Sequence, residues 1–272
     1  MHSLFPGTSE KAPLWGAFFV AALLWLLPAQ AATAEACAMP AGLREARVER
    51  VVDGDTLRLA DGRSVRLIGL NTPEMARGGR PAEPFAVEAM RHLERLVAAS
   101  AGRVYLQPGA QPRDRYGRSL AHAFGRDGRS WASAQLAAGL GLAVALAPNT
   151  ARLDCLLAAE AQARAARRGL WRRNPQRAVG QLQAGGFALL SGRIESFERN
   201  RGGLWLRMDG ALVLRVAPQR IARFDPDALR ALVGRRVEVR GWVVERSRRG
   251  ALRPGQARWQ LSLDHPALLR RL

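Results

Sequence analysis

The chain has 272 residues, 48% of them hydrophobic and 24% charged, with 42 basic side chains against 23 acidic ones. That much apolar material supports packed cores and excludes a disordered tail, and the length suits two modest domains better than one. Lys11 is the single lysine, so the net charge of +19 rests on arginine, whose planar fork grips phosphate at two points and directs attention to a polyanionic partner.

In chain order, Leu14 to Leu27 is a fourteen-residue run without a charge, closed by Pro28 and the small-residue pattern Ala29-Gln30-Ala31. This is the architecture of a secretory signal peptide over residues 1–34, too short for the roughly 18 apolar residues of a membrane span. The expected destination is the periplasm or the medium. In that oxidising setting Cys37 and Cys155 are expected to pair, clamping the mature N-terminus onto a helix. Neither cysteine has zinc-ligand neighbours at the required spacing.

Short β-branched runs at Arg47–Val52, Thr56–Ala60 and Ser64–Leu70, separated by Asp53-Gly54 and Asp61-Gly62-Arg63, predict a β-meander. Helical spacing of Phe85, Met90, Leu93 and Val97 predicts a helix over Pro81–Val97. Strands at Val104–Gln107 and Ser119–Phe124 follow, then helices at Ser130–Leu140 and Ala151–Arg168, the last ending at Gly169. Gly, Pro and Arg enrichment marks residues 174–186 as a linker between a first domain, 35–173, and a second, 187–272. The second domain shows strands at Phe187–Glu198, Gly203–Arg207, Ala211–Val216, Arg235–Val244 and Arg258–Leu263, with a helix at Asp225–Val233. That pattern suits an OB-like Greek-key barrel, a fold whose open face holds single-stranded nucleic acid. Residues 35–178 carry 23 arginines against 14 acids and residues 179–272 carry 18 against 8, so the second domain is the more basic per residue and fits an accessory nucleic-acid-binding module.

Chemistry concentrates in Asp53-Gly54-Asp55-Thr56, in Val65-Arg66-Leu67-Ile68-Gly69-Leu70-Asn71-Thr72-Pro73-Glu74, and in Asp114-Arg115-Tyr116-Gly117-Arg118. Asp55 with the Asn71-Thr72 corner supplies oxygen donors for a hard cation, provided adjacent strands bring them together. An EF-hand is excluded, since Arg58 stands at the loop-glycine position and Ser64 at the terminal glutamate position. Fixed positive charge at Arg66 and Arg118, with a carboxylate at Glu74, is what phosphodiester cleavage requires. His92 on a helix and His122 on a strand have no nucleophile motif beside them and are assigned to packing. Trp205, Trp242 and Trp259 fall on strands of the second domain. Core packing is the first expectation for them; an exposed stacking platform beside Arg207, Arg240 or Arg258 is the alternative.

Over Arg47 to Trp171 these motifs, with Glu160-Ala161-Gln162-Ala163 and Gly169-Leu170-Trp171, resemble the staphylococcal nuclease family. The resemblance implies a mainly β fold with helices: an OB-fold barrel of five strands and three helices, here followed by the second OB-like barrel. It also implies a calcium-dependent nuclease cutting DNA and RNA with little sequence preference. Arg66 and Arg118 would neutralise phosphate and Glu74 would be the general base. Asp55, Asn71 and the Thr72 carbonyl would bind calcium, and Tyr116 with Arg115 would touch a substrate phosphate. The chain departs from the family twice. Asn71 replaces the aspartate of the best-known member, leaving water or Asp53 to complete the metal shell. The stretch Gly141–Pro148 lacks the tyrosines that pack on a nucleotide base there, so stacking would fall to Trp131 or to the second domain. Asn71 also keeps open an alternative, an exported nucleic-acid-binding protein that retains the fold without catalysis.

Overall fold

The computed structural model describes His2, residues 37–252 and residues 254–272, so the expected export segment lies outside the described residues except at His2. Three antiparallel strands open the chain: β1 (Glu45–Asp53), β2 (Thr56–Leu59) and β3 (Ser64–Leu67). Alternation turns Leu57, Leu59, Val65 and Leu67 into the core and leaves Arg58 and Arg66 on the outer face. The expected strand Ser64–Leu70 breaks at Ile68-Gly69, and the chain resumes as β4 (Leu70–Asn71).

Helix α1 (Ala86–Ala99) buries Ala86, Ala89 and Leu93. It begins five residues later than the periodicity predicts, because Pro84 and a left-handed Phe85 precede it. Strands β5 (Arg103–Arg113) and β6 (Ser119–Phe124) complete a closed barrel in the order β1-β2-β3-β6-β5, with β3 and β6 parallel. Helix α2 (Trp131–Ala137) is capped by Ser130, which accepts from the Ser133 amide. Strand β7 (Leu142–Ala143) pairs with β4, and α3 (Leu153–Ala165) carries Cys155, which is disulfide-bonded to Cys37.

Residues 174–186, the expected linker, contain strand β8 (Arg177–Ala178) and bury Val179 and Leu182 in the following core. Next come β9 (Gly186–Asn200), β10 (Gly203–Met208), β11 (Leu212–Val216), helix α4 (Pro226–Arg230), β12 (Arg236–Glu245), β13 (Trp259–Ser262) and β14 (Leu269–Arg271). Five of these strands close a second barrel in the order β9-β10-β11-β13-β12, with β12 pairing back to β9 and with β11 and β13 parallel. The two barrels therefore share one strand order, including the single parallel pair and a helix between the third and fourth strands. That is the OB arrangement.

The barrels meet along α3 and β12. Glu160 of α3 receives Arg240 of β12 at 2.5 Å and the Ala143 amide at 2.8 Å, with both charged side chains buried. Glu238 takes Arg164 at 2.8 Å, Gln176 at 2.7 Å and Arg270 at 3.2 Å. Burial works against the Glu238 charge, but Arg164 and the neighbouring guanidiniums outweigh it and hold the carboxyl below its ordinary range. Around these pairs the packing is apolar: Leu142, Ala163, Trp171 and Leu189 form one cluster, and Ala145 and Leu153 join the second barrel's core.

Candidate functional site

The Asp53-Gly54-Asp55 turn between β1 and β2 lies flat against α1. A Cβ at Gly54 would come within 2.6 Å of the Ala89 Cβ and 2.8 Å of the Thr72 hydroxyl, so no other residue brings the turn this close. Buried Gln135 of α2 ties the arrangement together, donating to the Gly54 carbonyl at 2.6 Å and to the Ala89 carbonyl at 2.9 Å. Asp55 is thereby held with no solvent exposure. One of its oxygens accepts from the Thr72 amide at 2.8 Å and the Thr72 hydroxyl at 3.0 Å; the other accepts from the Thr56 hydroxyl and pairs with the Arg66 guanidinium.

Arg66 leaves the outer face of β3 and also donates to Asn71 Oδ1 at 2.9 Å. Burial pushes its guanidinium down to about 10, with Asp53 pulling it back up; Arg118, Glu74 and Asp114 also act on it. The five charges thus form one electrostatic neighbourhood. Asp53 accepts from the Asp55 amide at 3.0 Å, and burial raises its carboxyl above the ordinary range against the pull of Arg66 and Arg118.

Glu74 stands exposed at the base of a small hairpin, where its amide donates to the Glu83 carboxylate at 3.0 Å and its carbonyl accepts from the Glu83 amide at 2.9 Å. The tip is a two-residue Gly78-Gly79 turn with both glycines left-handed, closed by paired bonds between Arg77 and Arg80. Across the groove, Asp114 fixes Arg118 through a 2.7 Å bond to its Nε and a 3.0 Å bond to its amide. Arg115 donates to the Tyr116 hydroxyl at 2.6 Å and stacks over its ring at 4.8 Å, although Tyr116 itself is 69% exposed.

Arg66, Asn71, Glu74, Arg115, Tyr116 and Arg118 line one groove of about 1130 Å³, with Asp55 and Thr72 buried beneath it. All eight residues singled out in the sequence are brought to this place. Beyond Gln135, sequence reasoning missed three supporting groups. Glu83 pins the Glu74 loop, Asp114 orients Arg118, and Arg77 joins the groove lining from the hairpin tip. An acidic partner four residues from Arg118 was the available signal for the second; Glu83 and Arg77 depend on a loop closure that no local pattern announces.

Asp55 Oδ1 and Asn71 Oδ1 both accept from one guanidinium, so two hard oxygen donors already converge on a positive charge, and the Thr72 carbonyl adjoins the Asn71 amide at 3.5 Å. An all-oxygen set of this kind suits calcium or magnesium. Among the described residues no three His, Cys, Asp or Glu side chains gather as a metal cluster, so a cation here would depend on amide and carbonyl oxygens beside one carboxylate.

The expectation for Trp131 is corrected. Trp131 is 1% exposed and forms part of the first core, so it offers no face to a base. Trp259 is likewise core, and Trp205 is half-buried with Arg215 over its ring at 5.1 Å. His122 is buried in the first barrel, and His92 pairs with Gln135 at 2.7 Å.

Comparison with known proteins finds a match to the family described as Staphylococcal nuclease homologue over residues 64–173. A thermonuclease of Staphylococcus hyicus is 32% identical over 165 residues, spanning 57% of this chain and 95% of the relative. A thermonuclease of Staphylococcus intermedius is 38% identical over 78 residues, spanning 28% of this chain and 45% of that relative.

Proposed function

Because the chain belongs to the staphylococcal nuclease family, we propose that it is an exported, calcium-dependent endonuclease hydrolysing phosphodiester bonds of DNA and RNA, with its second barrel a nucleic-acid-binding module. The observation that carries this reading is the convergence of Arg66, Glu74 and Arg118 on one groove, with the Asp55 oxygen cradle directly behind Arg66. Glu74 takes the proton of a water whose oxygen attacks phosphorus. Arg66 and Arg118 neutralise the charge that builds on the non-bridging oxygens as the bond to the leaving oxygen breaks. Tyr116 and Arg115 hold a neighbouring phosphate. Calcium held by Asp55, Asn71 and the Thr72 carbonyl would supply further Lewis-acid stabilisation of the same charge. The uncharged run Leu14 to Leu27 and the small-residue pattern after it support the export part of this reading.

Glu74→Gln keeps the size of the side chain and removes the proton acceptor. Its turnover on plasmid DNA falls by about 10²- to 10⁴-fold while binding measured in chelator stays unchanged. Wild-type turnover in that variant would remove Glu74 from the mechanism. Asn71 favours one rival reading, since a neutral oxygen in place of a carboxylate weakens a cation site. A binding protein of that kind would retard DNA in a gel and never shorten it, whatever metal is added.

A further inference from the structure

On β12 the outward side chains are Glu238, Arg240, Trp242 and Val244. The first two are sealed in the seam between the barrels, against Arg164 and Glu160. The next two emerge from that seam, Trp242 39% and Val244 38% exposed, into the groove that holds Arg66, Glu74 and Arg118. Tryptophan is highly buried on average, and Trp242 is not. Here it is also fixed: Phe187, its in-register neighbour on β9, packs edge-on against the indole at 4.9 Å and 70°. The same groove is lined by Leu146, 44% exposed. The groove lining also includes Arg66, Arg77, Arg115 and Arg118 with exposed Tyr116. Of the six large hydrophobic side chains most exposed among the described residues, four therefore share one groove with four arginines.

We infer that Trp242 is a base-stacking platform, and that the second barrel makes the site selective for unpaired, single-stranded nucleic acid. This rests on the proposed nuclease reading. The lining arginines match a phosphate backbone and the exposed apolar side chains, Trp242 foremost, match the face of a base. Both can be used at once only by a strand whose bases are free, because in a duplex the faces are covered by neighbours. Stacking on an aromatic ring tolerates any base, so the platform selects strandedness and leaves sequence unselected. It also supplies, from a different domain, the base contact that the tyrosine-free stretch Gly141–Pro148 does not provide.

The test uses the full mature chain as wild type, Trp242→Phe, Trp242→Leu and Trp242→Ala. Affinity for a short oligothymidylate and for a duplex is measured in chelator, and cleavage of both is then measured with calcium. A stacking platform predicts that Trp242→Leu and Trp242→Ala weaken the single strand by about 5- to 150-fold, that Trp242→Phe retains most of the affinity, and that duplex affinity is unmoved in all three. Cleavage of the single strand then shows the loss in KM, with kcat unchanged. Equal single-strand affinity in all four proteins overturns the platform, as does a loss shared equally by duplex and single strand. The binding arm reads the platform even if no protein cuts. Failure of wild-type cleavage therefore strikes the nuclease reading alone.

Discussion

At the scale of single residues, the two site arginines Arg66 and Arg118 are held by carboxylates more buried than themselves. Arg66 points where it does because Asp55 lies beneath it, and Asp55 stays there because Gly54 lets the turn sink between Ala89 and Thr72. His122 shows what an unpartnered polar group does in the same barrel. Among the described residues its Nδ1 has no hydrogen-bond partner, and burial, with Arg152 adding repulsion, pushes its pKa from 6.5 down to about 4. The native state therefore holds the neutral imidazole while the unfolded chain protonates. Stability is intact above pH 6.5 and falls as pH drops from 6.5 toward 4, at up to about 1.4 kcal/mol per pH unit. Thermal unfolding followed from pH 7 to pH 4 should show this limb in the wild type, and His122→Leu should flatten it. An unchanged limb in the variant would assign the acid sensitivity elsewhere. The residues of the candidate site were legible because each sits in a short contiguous motif. Their supports were not, because Glu83 and Gln135 act on positions 9 and 81 residues away.

Elements were legible where hydrophobic period and turn residues agreed, as in both barrels, and illegible where a distant contact decided. The break of the third strand at Gly69 is such a case: Gly69 takes a left-handed backbone while pressed against Leu156 of α3, and no pattern within Ser64–Leu70 encodes a helix about 90 residues on. Strand β5 runs past Pro108 because beyond Tyr105 only β6 pairs with it, leaving the missing amide on an edge. The α3–β12 contact likewise joins Glu160 to Arg240 across 80 residues of sequence. Arg240→Ala leaves the buried Glu160 carboxylate without its guanidinium, at an expected cost of about 3–5 kcal/mol, whereas Glu160→Gln costs less because Arg240 keeps Glu238 at 3.7 Å. The combination Glu160→Leu with Arg240→Met should recover most of it. Denaturant unfolding of the singles and the double forms the test, and additive losses would mean the pair is not coupled.

At the scale of the molecule, two barrels of one topology are locked by buried ion pairs so that a face of each lines one groove. Composition announced the polyanionic partner but not where it would lie, because the groove exists only once the seam has formed. With a net charge of +19, binding should fall steeply with salt. Each arginine released from a phosphate lowers the log–log salt slope on single strands by about 0.7. Arg77→Gln and Arg115→Gln, made in the full chain, should each remove about that much; an unchanged slope would place the strand outside this groove. The central claim, cleavage at Arg66, Glu74 and Arg118, meets its most direct test in one incubation. The purified mature protein and Arg66→Ala are each given plasmid DNA and RNA, with calcium, with magnesium and with chelator. Calcium-dependent shortening by the wild type, lost in the variant, is the expected outcome. Intact nucleic acid under every metal, with binding retained, would contradict it.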